Sequence, residues 1–386
     1  MEPAVPCVEL MWNLLFSQTR FQKKGEGKTM QFDIMHFEAL GSESQHLEEA
    51  TKEAQAKGLL PKDLKYEITP DDLQTYLKKH PDTVLPDIIT TKTHSVLPPE
   101  YLKGTKKSIV SRSAGYDHFE ALADVANITS LRNYCVNAVA QTAIKFVYCT
   151  CGMLNQYTKN TLTFERNKAT SFMELNESRT ATVYGVGKIG KRVYELLEAN
   201  GLKVKAVDLR AKELDKLYNH TVNFVSKEEG IKDTDIVVNV MNLTRIKESP
   251  LYNVGYFSKE YLLQATRPIE FINVTRGDIA PESVLLELYK EGKILGIGTD
   301  VFTDETAFSE ALNGRGEFST PDMKAAKEIM DKAMDRSENF YVQPHQGFNS
   351  DRAAVEKAKD AIIHVCEWYK NGGKKFDEQL PYYTLK

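Results

Sequence analysis

The sequence predicts an α/β protein of two domains, each built on a parallel sheet. Short β-rich runs alternate with helical periodicity along almost the whole chain, which is typical of parallel α/β units. The 386 residues exceed what a single compact core usually organises. In addition, an amphipathic helix at the far end of the chain needs an apolar partner surface, which the first unit offers.

The first domain is predicted from four strands followed by a long apolar helix at about 137–157. Residues 1–29 precede the first strand, and the sequence assigns them no role. Their apolar run at 8–16 lacks a preceding basic segment and a following cleavage site, so we expect no secretory signal. The four predicted strands are Gln31–Glu38, Lys65–Ile68, Asp87–Thr91 and Lys107–Ser111.

The second domain is predicted from six strands between residues 180 and 345. Helical pieces separate them, for example a helix that Gly201 ends and another at Ser283–Glu291 between Pro281 and Gly292. The predicted strands are Thr180–Tyr184, Lys203–Asp208, Asp235–Met241, Ile269–Thr275, Leu295–Val301 and Asn339–Val342.

The last predicted helix, Arg352–Tyr369, repeats apolar residues on one face and is expected to pack on the first unit. The second domain is then inserted into a discontinuous first domain, with a ligand cleft between the two. The predicted boundaries are residues 1–132 and 347–386 for the first domain and 133–346 for the second.

Composition excludes several classes of partner. A net charge of −4 gives no electrostatic reason to expect nucleic acid or a membrane surface. Five scattered cysteines make an odd number, which favours reduced thiols in a cytoplasmic compartment over a disulfide framework. Neither the histidines nor the cysteines have metal-ligand spacing, so we expect no metal.

A glycine fingerprint joins the first strand and helix of the second domain. Gly185 permits the tight turn, Gly187 lets the backbone approach a pyrophosphate, and Gly190 allows the helix to pack on the strand. Lys188 and Ile189 open the helix, whose N-terminus favours phosphate. The alternative is a glycine turn without any cofactor. The motif within a β-α-β unit nevertheless predicts a Rossmann-like domain that binds a dinucleotide.

The nature of the dinucleotide follows from the end of the next strand. Asp208 lies where a carboxylate accepts hydrogen bonds from the adenine ribose and repels a 2′-phosphate, so we expect NAD. Arg210 leaves an alternative open, because an arginine nearby can hold a 2′-phosphate. The same arginine is also compatible with a solvated surface charge.

Five further segments, together with the fingerprint, carry a family resemblance. The chain resembles the D-isomer-specific 2-hydroxyacid dehydrogenases, and within them the D-lactate dehydrogenase branch. The segments occur in the family's order, and the resemblance covers roughly residues 85–370. They are Ser111–Asp117, Tyr134–Ala140, Asn273–Asp278, Gly298–Glu305 and Gln343–His345.

The resemblance implies a hydride transfer that interconverts a small 2-oxo acid and its D-2-hydroxy acid. Arg276 then pairs with the substrate carboxylate and polarises its carbonyl. His345 is the acid in reduction and the base in oxidation, and Glu305 orients its ring. The implied cofactor contacts include Thr275 and Asp300. The implied assembly is a homodimer through the nucleotide domain.

The resemblance also implies a substrate pocket. Ala114 and Gly115 match the turn whose N–H groups hold the substrate carboxylate, although a purely structural turn is the alternative. Tyr134 and Phe348 match aromatic positions at the cleft, where core packing is an equal alternative. Lys92 falls near the substrate's far end, which favours a second negative group, as in oxaloacetate, over pyruvate. A lysine that reaches solvent is the alternative.

Two other functions stay open on the sequence. The fold also serves as an NAD-sensing scaffold in corepressor-like proteins that resemble this family and retain the catalytic residues. A related dehydrogenase would act on glycerate, a phosphorylated hydroxy acid or a branched 2-oxo acid. Turnover of NADH with a panel of 2-oxo acids separates the enzyme from the scaffold.

Overall fold

The computed structural model describes residues 31–167 and 171–383, which form two parallel sheets. The role of residues 1–29 therefore lies outside the described part. The first sheet has the order β2-β1-β3-β4-β5, and every neighbouring pair is parallel. Two helices follow its first strands, α1 (Ser42–Ala56) and α2 (Leu73–Lys79). The strands are β1 (Ile34–His36), β2 (Tyr66–Ile68), β3 (Ile88–Thr91), β4 (Lys107–Ser111) and β5 (Ala126–Ser130).

The chain then crosses to the second sheet through two helices, α3 (Val136–Cys151) and α4 (Leu154–Asn160). Helix α3 packs against the second sheet, because the buried ring of Phe146 lies directly over Gly298 in that sheet. A Cβ atom on Gly298 would lie 2.6 Å from the Phe146 Cβ. The absence of a side chain at Gly298 is therefore what allows this close approach.

The second sheet has six parallel strands in the order β11-β10-β9-β8-β6-β7. The strands are β6 (Thr180–Tyr184), β7 (Lys203–Val207), β8 (Ile236–Asn239), β9 (Ile269–Asn273), β10 (Ile294–Thr299) and β11 (Phe340–Val342). The helices between them are α5 (Lys188–Ala199), α6 (Ala211–Leu217), α7 (Lys227–Ile231), α8 (Lys259–Leu262), α9 (Glu282–Lys290), α10 (Glu305–Leu312) and α11 (Pro321–Met334).

The strand order reverses between β6 and β8, beside the glycine fingerprint. An isolated parallel bridge between Ala206 and Phe224 extends the sheet beyond β7, at the position that a third strand takes in a dinucleotide-binding fold. In open parallel sheets, ligands bind outside the carboxyl ends of the strands at such a reversal. The topology therefore locates a binding crevice after β6.

The last helix, α12 (Ala353–Lys370), packs on α1 of the first sheet, as its apolar face predicts. Its buried Ala358, Ala361 and Val365 join the core that holds Leu47. The Trp368 indole N–H also donates to the Ser108 hydroxyl on β4 at 2.8 Å. The prediction of two parallel-sheet domains is thus confirmed. The boundaries at residues 132 and 346 stay predictions.

Three details of the sequence prediction were wrong. Strand β5 was missed because its polar Asn127 and Ser130 hide a segment that is buried throughout. The single long helix at 137–157 is two helices, since Gly152 ends α3 and Met153 adopts a left-handed φ of 48°. The first strand is also shorter than Gln31–Glu38, because pairing with both neighbours is confined to β1.

Candidate active site

A cleft of about 1360 Å³ separates the two sheets at the carboxyl ends of their strands. It contains every residue that the sequence assigned to catalysis, cofactor or substrate. These are Lys92, Ala114, Gly115, Tyr134, Gly185, Gly187, Lys188, Ile189, Gly190, Asp208, Thr275, Arg276, Asp300, Glu305, His345 and Phe348. Positions up to 256 residues apart in the chain, from Lys92 to Phe348, thus converge on one cavity, while their individual roles remain predictions.

The three fingerprint glycines differ in what surrounds them. Gly185 has a left-handed φ of 83°, and a Cβ there would lie 2.7 Å from the Met241 backbone. A Cβ on Gly190 would lie 1.9 Å from the Gly185 carbonyl oxygen, so this glycine is needed for helix packing. Gly187 instead has open space before it, and no side chain caps the first N–H groups of α5. The loop therefore fits an anionic diphosphate.

The carboxylate of Asp208 faces this loop. It accepts hydrogen bonds from the backbone N–H groups of Val186 and Arg210, each at 2.8 Å. The Arg210 side chain also lines the cleft, where it pairs with Glu213 at 3.1 Å and stacks on the Tyr383 ring at 3.6 Å from the centroid. Arg210 is thus already occupied by protein partners, and the free lone pairs of Asp208 suit ribose hydroxyls.

His345 and Glu305 form a contact pair on the cleft wall. The His345 Nδ1 lies 2.7 Å from the Glu305 Oε2, which leaves Nε2 available to a ligand. His345 has a left-handed φ of 52°, and its N–H donates to the Asp300 carbonyl at 2.6 Å. Asp304, which caps α10, is left-handed as well. Non-glycine residues in this region cluster at functional sites, and here they fix both partners of the pair.

Arg276 is anchored from the first domain. Its Nη2 donates to Asp117 Oδ1 at 2.9 Å, and its Nη1 to the Thr275 carbonyl at 2.8 Å. Arg245 binds the other Asp117 oxygen at 2.9 Å. Burial opposes a charge on Asp117, but Arg276 and the other cations outweigh it and hold the pKa of that carboxyl below its ordinary value. Asp117 is therefore an anion that positions the Arg276 guanidinium.

Gly115 makes room for that guanidinium. A Cβ at this position would lie 2.1 Å from Arg276 Nη2, so only glycine allows the arginine its present position. His118 completes this wall, with Nε2 3.2 Å from the Ser111 hydroxyl and a buried Nδ1 without a hydrogen-bond partner among the described residues. Burial lowers the pKa of His118 to about 4, which keeps its imidazole neutral.

Asp300 and Thr275 line the cleft while bonding to protein groups. Asp300 accepts from the Gln343 side chain at 2.7 Å and from the N–H groups of Gln346 and Gly347 at 2.8 Å. It thereby holds the loop that carries His345. The Thr275 hydroxyl accepts from the Asn239 amide at 3.1 Å. In this structure both residues shape the site through backbone and neighbouring side chains.

The aromatic pair and Lys92 lie at another part of the cleft. The Tyr134 and Phe348 rings meet edge to face, with centroids 6.4 Å apart. The Lys92 ammonium forms an ion pair with the buried Glu43 instead of extending into solvent. Glu43 was not foreseen, because α1 presents it 49 residues before Lys92 in the chain. The predicted lysine is thus present in the cleft but already carries one anionic partner.

Asp117, Lys357 and Tyr383 are among the cleft residues that sequence reasoning missed. Asp117 lies inside the matched segment Ser111–Asp117, and that position was the available signal. Lys357 lies on the apolar face of α12, three residues after Ala354 and four before Ala361. A charged residue at such a position interrupts the apolar pattern and gives no sign that it lines a cleft. Nothing in the sequence around Tyr383 indicates that it reaches the cleft.

Neither metal ligation nor membrane insertion is indicated in the part of the chain that the structure describes. Among residues 31–167 and 171–383, no group of three or more His, Cys, Asp or Glu side chains could hold a metal ion. None of the helices described in those ranges is long and apolar enough to cross a membrane.

Comparison with known families and structures agrees with this geometry. Residues 148–347, just over half of the chain, match the family model described as D-isomer specific 2-hydroxyacid dehydrogenase, NAD binding domain. The D-lactate dehydrogenase of Aquifex aeolicus, solved with NAD and lactic acid, superposes with a TM-score of 0.70. It is 21% identical, with 91% of this chain and all of that chain covered. A D-2-hydroxyisocaproate dehydrogenase superposes at 0.68 with 18% identity, over 88% and 97% of the two chains.

Sequence relatives carry several substrate names. Glycerate dehydrogenase of Methylorubrum extorquens is 24% identical over 49% of this chain. Glyoxylate reductase of Thermococcus onnurineus is 24% identical over 53%. D-lactate dehydrogenase of Lactobacillus delbrueckii subsp. bulgaricus is 28% identical over 48%. The matches span 57%, 63% and 52% of those relatives' lengths, respectively. These names differ in substrate, so they do not select one.

Proposed function

The chain belongs to the D-isomer specific 2-hydroxyacid dehydrogenase family, and from that membership we propose that it interconverts a 2-oxo acid and its D-2-hydroxy acid with NAD. The observation that carries the proposal is the convergence of Arg276 and the His345–Glu305 pair on the cleft that holds the glycine loop. A carboxylate-binding cation, a proton donor and a dinucleotide loop are the three elements that this reaction needs.

Arg276 binds the substrate carboxylate and polarises the carbonyl to be reduced. Two of its N–H groups are held by Asp117 and the Thr275 carbonyl, which leaves other donors of the planar fork for the substrate. The backbone beside Ala114 and Gly115 lines the same wall. Because Asp117 fixes the guanidinium beforehand, little side-chain entropy is lost when the substrate binds.

His345 moves the proton at its Nε2 atom. With Nδ1 directed at Glu305, Nε2 gives a proton to the carbonyl oxygen in reduction and takes one from the hydroxyl in oxidation. The Glu305 carboxylate stabilises the imidazolium and fixes the tautomer of the neutral ring. Glu305 itself is held by the Phe302 N–H, which donates to Oε1 at 3.2 Å.

The residues of the glycine loop fit NAD. The space before Gly187 and the free N–H groups of α5 suit its diphosphate, and Asp208 suits the adenine ribose. When bound, the nicotinamide supplies or accepts the hydride. Since Arg210 pairs with Glu213 and stacks on Tyr383, a 2′-phosphate would meet the Asp208 carboxylate while this arginine is engaged with protein partners.

The test is oxidation of NADH by the purified chain with a panel of 2-oxo acids, followed at the nicotinamide absorbance. We expect turnover with at least one acid and formation of the D-hydroxy product. Tight NADH binding without turnover of any acid would instead favour an NAD-sensing scaffold. His345→Gln is the matched negative control, because it retains the cleft and removes the proton donor.

We also propose a homodimer in a cytoplasmic compartment. Support for the dimer comes from exposed apolar side chains around α3 and α4, a surface that a second copy would cover: Tyr148, Leu154, Leu162, Phe164 and Phe172. Support for the compartment comes from the odd, scattered cysteines. Light scattering of the wild type and of Leu162→Asp tests the dimer, since the variant should dissociate.

A further inference from the structure

The cation at Lys357 is a feature of the cleft that neither the proton donor nor the carboxylate site uses. Lys357 is only 7% exposed to solvent, yet it lines the cleft. The ammonium lies 5.0 Å from the centroid of the Tyr134 ring and 4.7 Å from that of Phe348. It makes no hydrogen bond or ion pair with any residue in 31–167 or 171–383. A buried charge without a partner is costly, and this one faces a ligand cavity.

The surrounding residues leave that charge uncompensated. Glu43 is the buried carboxylate nearby, and both of its oxygens are taken, one by Lys92 and the other by Arg112 at 2.9 Å. Arg112 also donates to the Thr90 hydroxyl and to the Phe37 carbonyl, so it is committed to the protein. Three cations therefore share one carboxylate at this part of the cleft.

The other titratable groups around Lys357 do not supply an anion. Burial raises the pKa of the Cys135 thiol to about 11 and that of the Tyr134 phenol well above its ordinary value, so both are neutral near pH 7. Asp360, on the same helix, is not within ion-pair distance of Lys357 among the contacts of the described residues. Among residues 31–167 and 171–383, no carboxylate is therefore paired with the Lys357 ammonium.

We propose that Lys357 binds a second anionic group at the far end of the substrate. The proposed substrate is thus a 2-oxo acid, or its 2-hydroxy acid, whose chain ends in a carboxylate or a phosphate. This rests on the proposed function, in which Arg276 holds the first carboxylate. Tyr134 lines the same cleft as Arg276, and the centroid of its ring lies 5.0 Å from the Lys357 ammonium.

Lys92 and Arg112 favour binding of the substrate's second anionic group without contacting it directly. Their charges raise the positive potential at the pocket, while Glu43 holds them in place. The Tyr134 and Phe348 rings exclude water beside the Lys357 ammonium, which strengthens its attraction for an anion. The expectation that Lys92 binds the far end thus changes: Lys357 contacts the anion, and Lys92 reinforces it through the field.

The experiment compares kcat/KM with NADH for four 2-oxo acids in the full chain. Pyruvate and 2-oxobutyrate end in uncharged groups, oxaloacetate ends in a carboxylate, and 3-phosphooxypyruvate ends in a phosphate. We expect the wild type to prefer one of the doubly charged acids, and the better of the two identifies the anion. Hydrogen bonds to charged groups predict that Lys357→Met lowers this preference by about 10- to 100-fold.

Two further variants make the comparison specific. Lys357→Arg should retain most of the preference, because it keeps a cation over the aromatic rings. Lys359→Met is the matched control, since this lysine lies on the same helix but is exposed outside the cleft. It should leave all four efficiencies within about twofold of wild type, as is usual for a surface substitution.

The wild-type panel alone can overturn the proposal, even if Lys357→Met does not fold. If pyruvate or 2-oxobutyrate is used as efficiently as both doubly charged acids, Lys357 does not bind substrate. An unchanged ratio in a folded Lys357→Met leads to the same conclusion. Bound NADH with no turnover of any of the four acids, or of others in a wider panel, would instead refute the proposed function.

Discussion

The imidazole Nδ1 of His345 lies 2.7 Å from the Glu305 carboxylate, and both residues line the cleft that contains Arg276. This contact directs the other ring nitrogen toward the ligand space. It also couples the charge of the ring to a nearby anion, because a carboxylate favours the imidazolium. A side chain so placed can act as acid in one direction and as base in the other.

The first prediction follows from that reversal. Reduction requires the protonated His345, so kcat/KM for the 2-oxo acid should fall as pH rises, whereas oxidation of the hydroxy acid should increase. His345→Gln should lower kcat by at least about 100-fold, the lower range for positioned acid–base catalysis. Glu305→Gln should lower kcat as well, because the imidazole then loses the carboxylate that orients its ring. A His345→Gln enzyme within threefold of wild type would remove this histidine from the mechanism.

The second prediction concerns the Asp208 carboxylate and NAD. Wild type should use NADH more efficiently than NADPH, and Asp208→Ala should reduce that ratio by about tenfold, the effect of one hydrogen bond to a charged group. Asp208→Asn is the control, because its amide oxygen can still accept from the Val186 N–H while the charge is lost. It should reduce the ratio while retaining more activity with NADH than the alanine variant.

Tyr383 gives an independent check on the same cofactor pocket. Its ring covers Arg210, so Tyr383→Leu should release this arginine and improve NADPH use relative to NADH. Equal efficiency with both cofactors in the unaltered protein would mean that Arg210 already governs the pocket. For wild type and for Tyr383→Leu, kcat/KM with NADH and kcat/KM with NADPH are measured with the same 2-oxo acid.

The sequence was sufficient to locate those parts of the fold and of the candidate site that depend on short-range patterns. The strand–glycine–helix segment at Gly185 and the strand end at Asp208 follow from local chemistry, and both lie as expected. Strand β5 could not be predicted, because its Asn127 is satisfied by the Lys374 carbonyl, 247 residues away in the chain. A polar residue with so distant a partner does not show in local periodicity.

The substrate end of the site depends on tertiary contacts in the same way. The pair of Lys92 with Glu43 joins α1 to the segment after β3, and Lys357 arrives from the returning helix α12. In the sequence, each of these residues looks like an ordinary charged residue of a helix or a loop. Only their convergence shows that three cations share one carboxylate, which is why the sequence suggested Lys92 and missed Lys357.

The third prediction uses the close approach of Gly115 to Arg276. Gly115→Ala should displace the guanidinium, because the new Cβ would lie 2.1 Å from Nη2. The loss of a charge-assisted contact with the substrate carboxylate predicts an increase in KM of about 10- to 100-fold. Gly316→Ala is the matched control, since its Cβ would meet nothing closer than 3.4 Å. Equal KM values in the two variants would contradict the role of Arg276.

The last prediction concerns acid stability and a buried histidine away from the proposed chemistry. His36 is fully buried, with Nδ1 2.8 Å from the Thr90 hydroxyl and a buried Nε2 without a partner among the described residues. Burial, with a smaller contribution from Arg112, lowers its pKa from 6.5 to about 3. The folded protein therefore binds this proton less readily than the unfolded chain does.

The sign follows from proton linkage. Because the unfolded state takes up the proton first, the free energy of unfolding should decrease as pH falls from 6.5 toward about 3. The measurement is urea denaturation at several pH values in this window. His36→Asn should lower stability near pH 7 but flatten the pH dependence, since no buried imidazole then resists protonation. His220→Asn, at a histidine whose side chain is 73% exposed, should leave the wild-type slope unchanged. Parallel slopes in wild type and His36→Asn would assign the acid sensitivity to other groups, such as the buried His118.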